Sequence, residues 1–309
     1  MNTETLDQPI VADVAVSAPA VVIESAAPAV AAVAEGPNPF IALGLDVALV
    51  RAVSDLGYTQ PTEVQAKVIP LAMGSGKADE ASIDLMVSSQ TGSGKTAAFL
   101  LPVLNTLIAQ KAIEAAAEQA EFERQRAQAA ASGEAAPKRA KRKNPMQSRN
   151  FKAAVPGALV LCPTRELAQQ VAQDAIELVK HCKNLRVANV VGGMPYQLQI
   201  AKLQNADLVV ATPGRLLDLQ RSLQIKLDKV QFLVVDEADR MLDLGFADDL
   251  EEVHQMTAQR KQTMMFSATF APRIQQLAMR VMHDGGANVQ KITIATPQQG
   301  HDNIKKKLY

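Results

Sequence analysis

A chain of 309 residues can bury a substantial core and hold one large or two modest domains. Its 32 basic and 32 acidic side chains cancel at neutral pH, so the whole-molecule field favours no polyanion and any nucleic-acid site must be a local arrangement. Aromatic residues make up 4% with no Trp, which argues against an extended base-stacking platform, while two cysteines and four scattered histidines supply neither a disulfide framework nor a zinc site.

In chain order, residues 1–37 carry repeated Ala-Pro steps and neither helical nor strand periodicity, and read as a disordered Ala/Val/Pro-rich tail. The first 35 residues hold no Lys or Arg, unlike the basic start of a secretory signal, and no apolar run approaches membrane-spanning length. With Cys162 and Cys182 read as free thiols, a cytoplasmic location is expected. Order is predicted from Phe40, with a helix carrying Leu43 to Leu56 and stopped by Gly57, then a turn through GYTQPTEVQ into a second helix.

Short apolar runs then alternate with helical stretches: DLMVS (84–88), ALVLC (158–162), RVANVV (186–191), DLVVA (207–211), FLVVD (232–236) and TMMFS (263–267). Strands alternating with helices predict an α/β fold with a doubly wound parallel sheet. The runs are continuously apolar, so helices should cover both faces. Residues 109–152 break the rhythm: a stretch rich in Ala, Glu, Gln and Arg to about 132, then seven basic and no acidic side chains in 137–152. This reads as an insertion, either a solvated helix and loop or an auxiliary RNA-binding patch.

Chemistry concentrates just after the apolar runs, where an open parallel sheet places its ligands. TGSGKT follows a strand and opens a helix, the setting of a phosphate-binding loop. Gly92 and Gly94 let the backbone amides curl toward phosphate oxygens; Gln90, Thr91 and Ser93 complete the loop. Lys95 would reach the β- and γ-phosphates and the Thr96 hydroxyl would ligate Mg²⁺. Ser89 stands where the strict form of the motif has its first Gly. FLVVDEAD supplies a strand ending in carboxylates: Asp236 for Mg²⁺ and Glu237 to orient and deprotonate the attacking water.

These motifs, with PTREL (163–167), Gly192-Gly193, TPGR (212–215) and SAT (267–269), resemble the DEAD-box RNA helicases of superfamily 2 over residues 38–309. The resemblance implies a RecA-like ATP-binding domain over 38–300, ATP and Mg²⁺ as cofactors, and RNA-stimulated ATP hydrolysis that opens short duplexes locally. It places an adenine-recognising segment at GYTQPTEVQ, with Tyr58 in the site, Gln65 hydrogen-bonding adenine and Phe40, 17 residues before Gly57, stacking on it. Glu63 departs from the family's usual Pro.

By the same resemblance Pro163, Thr164, Arg165, Gly192, Gly193, Thr212, Gly214 and Arg215 contact the RNA backbone, an assignment that suits hydroxyls, exposed amides and arginines, which carry no base code. The Thr-Pro and Pro-Thr steps are also ordinary helix starts. Ser267 and Thr269 are implied to couple nucleotide state to unwinding by bonding the DEAD segment at Asp239. The run DEADRMLDLGFADDLEEV with QTMMFSATF is most similar to the bacterial RhlE-like branch. Family members close a second RecA-like domain, bearing an HRIGR-like arginine-finger motif, over ATP and RNA. After Thr269 only 40 residues remain, read as a helix (272–282), a strand (291–295) and, over 301–309, the start of an interdomain linker. The expectation is therefore the first half of a helicase, with the alternative of an ATP- and RNA-binding lobe without independent turnover. A DNA-translocating motor of the same superfamily fits the phosphate loop and acidic motif but leaves the adenine-recognising segment unexplained.

Overall fold

The computed structural model describes residues 38–74, 83–132, 135 and 152–294. The tail over 1–37, nearly all of the basic run and the linker over 301–309 lie outside the described residues.

Seven strands, β1 (Leu85–Ser88), β2 (Ala158–Leu161), β3 (Val187–Val190), β4 (Leu208–Ala211), β5 (Phe232–Val235), β6 (Gln262–Ser267) and β7 (Gln290–Thr293), form one sheet in the order β3-β4-β2-β5-β6-β1-β7. Every pairing is parallel. The five interior strands are buried along their whole length, whereas the edge strands β3 and β7 are partly exposed, which is why only the interior ones read as continuous apolar runs. The last predicted strand is β7.

Side chains alternate between the two faces, so two apolar clusters form. Leu85, Val87, Ala158 and Val160 join one, with residues from α1 (Val47–Asp55), α2 (Glu63–Met73), α3 (Lys95–Ser132) and α4 (Arg165–Leu178). Met86, Leu159 and Leu161 join the other, with residues from α5 (Tyr196–Leu203), α6 (Pro213–Arg221), α7 (Ala238–Asp243), α8 (Ala247–Met256) and α9 (Pro272–Val281). The predicted doubly wound sheet is the observed one.

Because the strands are parallel, all their carboxyl ends lie along one edge. The chain leaves β1, crosses to β2 three positions away, fills in β3 and β4 beyond it, and returns to place β5 and β6 between β2 and β1. The edge is thereby divided. The ends of β5, β6 and β1 carry DEAD, SAT and the phosphate loop; the ends of β3, β4 and β2 carry Gly192-Gly193, TPGR and PTREL.

Two expectations are refined. Residues 109–132 are helical and mostly exposed, as expected for a solvated helix, but they begin no new element: α3 runs unbroken for 38 residues from Lys95 to Ser132. Between Pro102 and Ser132 no Gly or Pro interrupts a sequence of strong helix formers, and the helix simply continues beyond the run of buried residues that reaches Leu107, with Ala129 buried again near its end. The same helix holds an 18-residue window apolar enough, by composition, to cross a membrane. Half of that window is buried, with Phe99, Leu100, Leu101 and Leu104 in the first cluster, as in the core helix of a folded domain.

The opposite edge is closed by a buried polar network. The Asp84 carboxylate accepts hydrogen bonds from the Thr263 amide (2.6 Å) and the His283 amide (2.8 Å) and lies 3.0 Å from His283 Nδ1. Arg260 donates to Thr263 Oγ1 (2.7 Å), to the Val281 carbonyl (2.8 Å) and to His254 Nδ1 (2.8 Å). This network pins the amino-terminal ends of β1 and β6 to the carboxyl end of α9.

Candidate functional site

The phosphate loop occupies the turn from β1 into α3. Gly92 and Gly94 take φ values of +80° and +91°, a region that L side chains rarely adopt. Gly94 is required twice over, since a Cβ there would stand 2.6 Å from Gln65 Nε2 and 2.9 Å from Thr62 Oγ1. Gln90, Thr91 and Gly92 are exposed, while Ser93, Gly94, Lys95 and Thr96 are half-buried as the loop enters the helix. Among the described residues, the Ser89 and Ser93 hydroxyls are buried without a protein partner. Positive-φ glycines, unspent hydroxyls and a helix N-terminus suit an anion, and a phosphate fits this cradle.

The GYTQPTEVQ segment is tied directly to that loop. Thr62 caps α2 and forms a capping box with Gln65, whose Oε1 accepts from the Thr62 amide at 3.0 Å. Gln65 Nε2 donates to the Gly94 carbonyl at 3.2 Å. Gln65 is buried, and each end of its amide already has one protein partner, leaving one N–H and one lone pair for anything else. Glu63 occupies the first turn and pairs with Lys67 at 2.7 Å, so an acid serves where its charge favours the helix start.

Across β6, Asp236 ends β5 almost fully buried. Burial, reinforced by the neighbouring Glu237 and Asp239 carboxylates and opposed by Lys95, pushes its pKa up to about 6. Glu237 has φ +49°, a left-handed conformation uncommon for this residue type, and its amide donates to Asp236 Oδ1 at 2.9 Å. Such strain collects where a side chain must point in one direction. Nothing in the sequence flagged it. Glu237 Oε2 has Arg240 Nη1 3.5 Å away. The end of β6 lies between these groups and the phosphate loop: the Ser89 amide donates to the Ser267 carbonyl at 3.2 Å and Ser88 Oγ to the Ala268 carbonyl at 3.0 Å.

At the other half of the edge, Pro163 is buried, Thr164 caps α4 through the Leu167 amide at 3.3 Å, and Arg165 is exposed. Arg165 Nη1 donates to the Gly192 carbonyl at 3.4 Å, and Gly193, at φ +78°, leaves room for the guanidinium that a side chain would displace. Thr212 precedes α6 without a side-chain capping bond, so its hydroxyl is not consumed by the helix. A Cβ on Gly214 would meet nothing within 4 Å, and Arg215 Cζ sits 5.7 Å from the centre of the Tyr196 ring. Arg165 and Gly193 are thus exposed, Thr164, Gly192, Thr212, Gly214 and Arg215 half-buried, and Pro163 buried, all at the carboxyl ends of β2, β3 and β4.

A family model described as DEAD/DEAH box helicase matches residues 62–277, which spans the phosphate loop, DEAD, SAT and all three segments of the second surface. The chain belongs to this family. It is 40% identical over 274 residues to rice DEAD-box ATP-dependent RNA helicase 52A, covering 87% of this chain and 39% of that protein. It is 38% identical over 247 residues to ATP-dependent RNA helicase SrmB of Escherichia coli, covering 79% and 45% respectively. Among solved structures, a hypothetical ATP-dependent RNA helicase from Sulfolobus tokodaii is similar at 32% identity and a TM-score of 0.60, over 81% of this chain and 57% of that one. A DEAD box protein from Methanococcus jannaschii is similar at 30% identity and a TM-score of 0.60. The chain thus spans about two-fifths of the length of the curated relatives it matches.

Two of the DEAD-box assignments do not fit the geometry. Phe40 is fully buried in the cluster that holds Leu49, Val68 and Phe99, so it offers no open face for stacking on adenine; it is a core residue, and the exposed aromatic of the segment is Tyr58. The expected bond from SAT to Asp239 is not formed: Ser267 Oγ is buried without a partner and Thr269 is exposed, while the SAT backbone bonds the phosphate-loop side instead. Tertiary burial won over motif spacing in the first case. In the second, β6 pairs with both β1 and β5, and its terminal carbonyls lean toward β1.

Proposed function

We propose that this chain is the ATP-binding lobe of an ATP-dependent RNA helicase, in which RNA-stimulated ATP hydrolysis drives local opening of RNA duplexes. The observation that carries it is the division of one sheet edge into a phosphate loop facing two carboxylates and, beside it, a basic surface suited to a sugar–phosphate backbone. In this reading Lys95 places its charge on the β- and γ-phosphates. Glu237, held by its left-handed backbone, accepts the proton of the attacking water as general base. The Thr96 hydroxyl and the Asp236 carboxylate are the residues that would hold Mg²⁺; a buried acid just past the end of β5, on the same sheet edge as the phosphate loop, suits that role. Mg²⁺, when bound, neutralises charge on the phosphate oxygens. With Phe40 in the core, the adenine site is read as Tyr58 with the free N–H and lone pair of Gln65.

Arg165, Gly193, Thr212 and Arg215 would contact the RNA backbone without reading bases, and a second RecA-like domain would complete the site. The same residues equally support a lobe that binds ATP and RNA but barely turns over by itself, since phosphoryl transfer leans on cations around the γ-phosphate and the loop supplies Lys95.

Nucleotide binding and steady-state hydrolysis, measured with and without RNA, test both readings. Lys95→Ala is expected to weaken ATP binding, whereas Glu237→Gln should spare binding and cut any hydrolysis by about 10²- to 10⁴-fold. Equal hydrolysis by wild type and Glu237→Gln would sink the role of Glu237. RNA-stimulated turnover by the 309-residue chain favours the first reading, and binding without turnover favours the second.

A further inference from the structure

The second surface contains a contact that no motif accounts for. Tyr196 opens α5 directly after the Gly192-Gly193 turn and Pro195. Its ring lies under the Arg215 guanidinium, 5.7 Å from Cζ to the ring centre, within range of a cation–π contact. Its hydroxyl meets Ser222 Oγ and lies 3.4 Å from the Asp218 carbonyl. Ser222 caps the end of α6 and Arg215 is in that helix's first turn, so the tyrosine lies along α6 and is fixed at its far end. Arg215 Nε is buried with no hydrogen-bond partner, and no carboxylate is paired with the guanidinium among the described residues. Its orientation is therefore set by the ring rather than by an ion pair. The contrast with Arg165 is direct, since that side chain has the Gly192 carbonyl and Glu166 at 3.7 Å.

From this geometry we infer that Tyr196 is a positioning residue for RNA binding: its ring holds the Arg215 guanidinium toward the sugar–phosphate backbone while leaving its terminal N–H groups free for a phosphate oxygen. A carboxylate partner would have neutralised the same arginine; an aromatic face orients it and keeps its charge available. Tyr196 also joins α5, which follows the glycine turn, to α6, which carries TPGR, so two of the three backbone-contacting segments are set relative to each other by one side chain.

This inference rests on the RNA-binding reading, and the experiment separates the two. Binding of a fluorescent single-stranded RNA to the 309-residue chain is measured across a range of salt concentrations for wild type, Arg165→Ala, Arg215→Ala, Tyr196→Leu, Tyr196→Phe and the Tyr196→Leu/Arg215→Ala double variant. Loss of one phosphate contact should lower the slope of log affinity against log salt by about 0.7 and the affinity at 0.1 M salt roughly fivefold. Tyr196→Leu should reproduce the Arg215→Ala slope, the double variant should add nothing further, and Tyr196→Phe should retain the wild-type slope because the ring remains. Wild-type slope in a folded Tyr196→Leu, or full additivity in the double variant, overturns the inference. If Tyr196→Leu melts before binding can be read, Tyr196→Met, whose long unbranched side chain can follow the ring's path without a π face, carries the same expectation. If Arg165→Ala and Arg215→Ala also leave the slope unchanged, it is the RNA-binding reading that fails.

Discussion

The two halves of the sheet edge are built on different principles. At the ends of β5, β6 and β1 the groups are committed to one another: Gln65 is bonded to the Gly94 carbonyl, the Ser89 amide to Ser267, and Asp236 is buried beside a strained Glu237. At the ends of β3, β4 and β2 the reaching groups are exposed or half-exposed, held by one carbonyl or one aromatic ring. Under the proposed function the difference follows from the tasks. Chemistry on a phosphate needs donors and a base fixed before the substrate arrives, because reorganisation at the moment of reaction adds to the barrier. Holding a polyanionic backbone in register needs charge and position, and tolerates side chains that adjust.

Breaking the committed half should therefore do the most damage. Gly94→Ala forces a side chain into φ +91° and against Gln65 Nε2, with an expected loss of nucleotide affinity of about 2–4 kcal/mol from the backbone and the collision together. Titration with a fluorescent nucleotide measures it, and the salt slope of RNA binding should be unaltered. An unchanged nucleotide affinity would show that the loop can move away from Gln65. In the adaptable half, Arg165→Ala should weaken RNAs of different sequence alike, roughly fivefold at 0.1 M salt. Filter binding with several unrelated RNAs checks this, and a loss confined to one sequence would contradict backbone readout.

The smallest expected effect lies at the far edge of the sheet, away from both halves. Burial, and then the Arg260 guanidinium 2.8 Å from its Nδ1, lower the pKa of His254 against the opposing pull of the Val281 carbonyl 3.1 Å from the same nitrogen. A histidine with a depressed folded pKa contributes stability that is full above its ordinary value of 6.5 and is lost as pH falls below it. Thermal melting between pH 7.5 and 5 should show a small drop that His254→Gln, whose amide does not titrate, reduces. Identical pH profiles would place the acid sensitivity elsewhere.

The sheet was readable from the sequence because interior parallel strands, buried on both faces, appear as unbroken apolar runs, and because the motifs sit where those runs stop. What stayed hidden depends on distant parts of the chain meeting. No local pattern distinguishes a Phe40 in the core from one facing a ligand, and spacing from Gly57 pointed the wrong way. The continuity of α3 was obscured because its composition changes at the protein surface although its backbone does not. The Glu237 conformation, the Asp84 network and the Tyr196 contact join residues far apart in sequence or depend on a single dihedral, and leave no periodic trace.

The long helix has a mechanical corollary. A rod of 38 residues rooted at Lys95 extends about 57 Å, and most of its outer half is exposed. Such a shape is a lever with its fulcrum beside the phosphate loop. A tilt of only about 5° at the root would sweep the far tip through about 5 Å, for a straight helix of this rise per residue. The slightest rocking of the loop is thereby written, enlarged, at a point remote from the nucleotide.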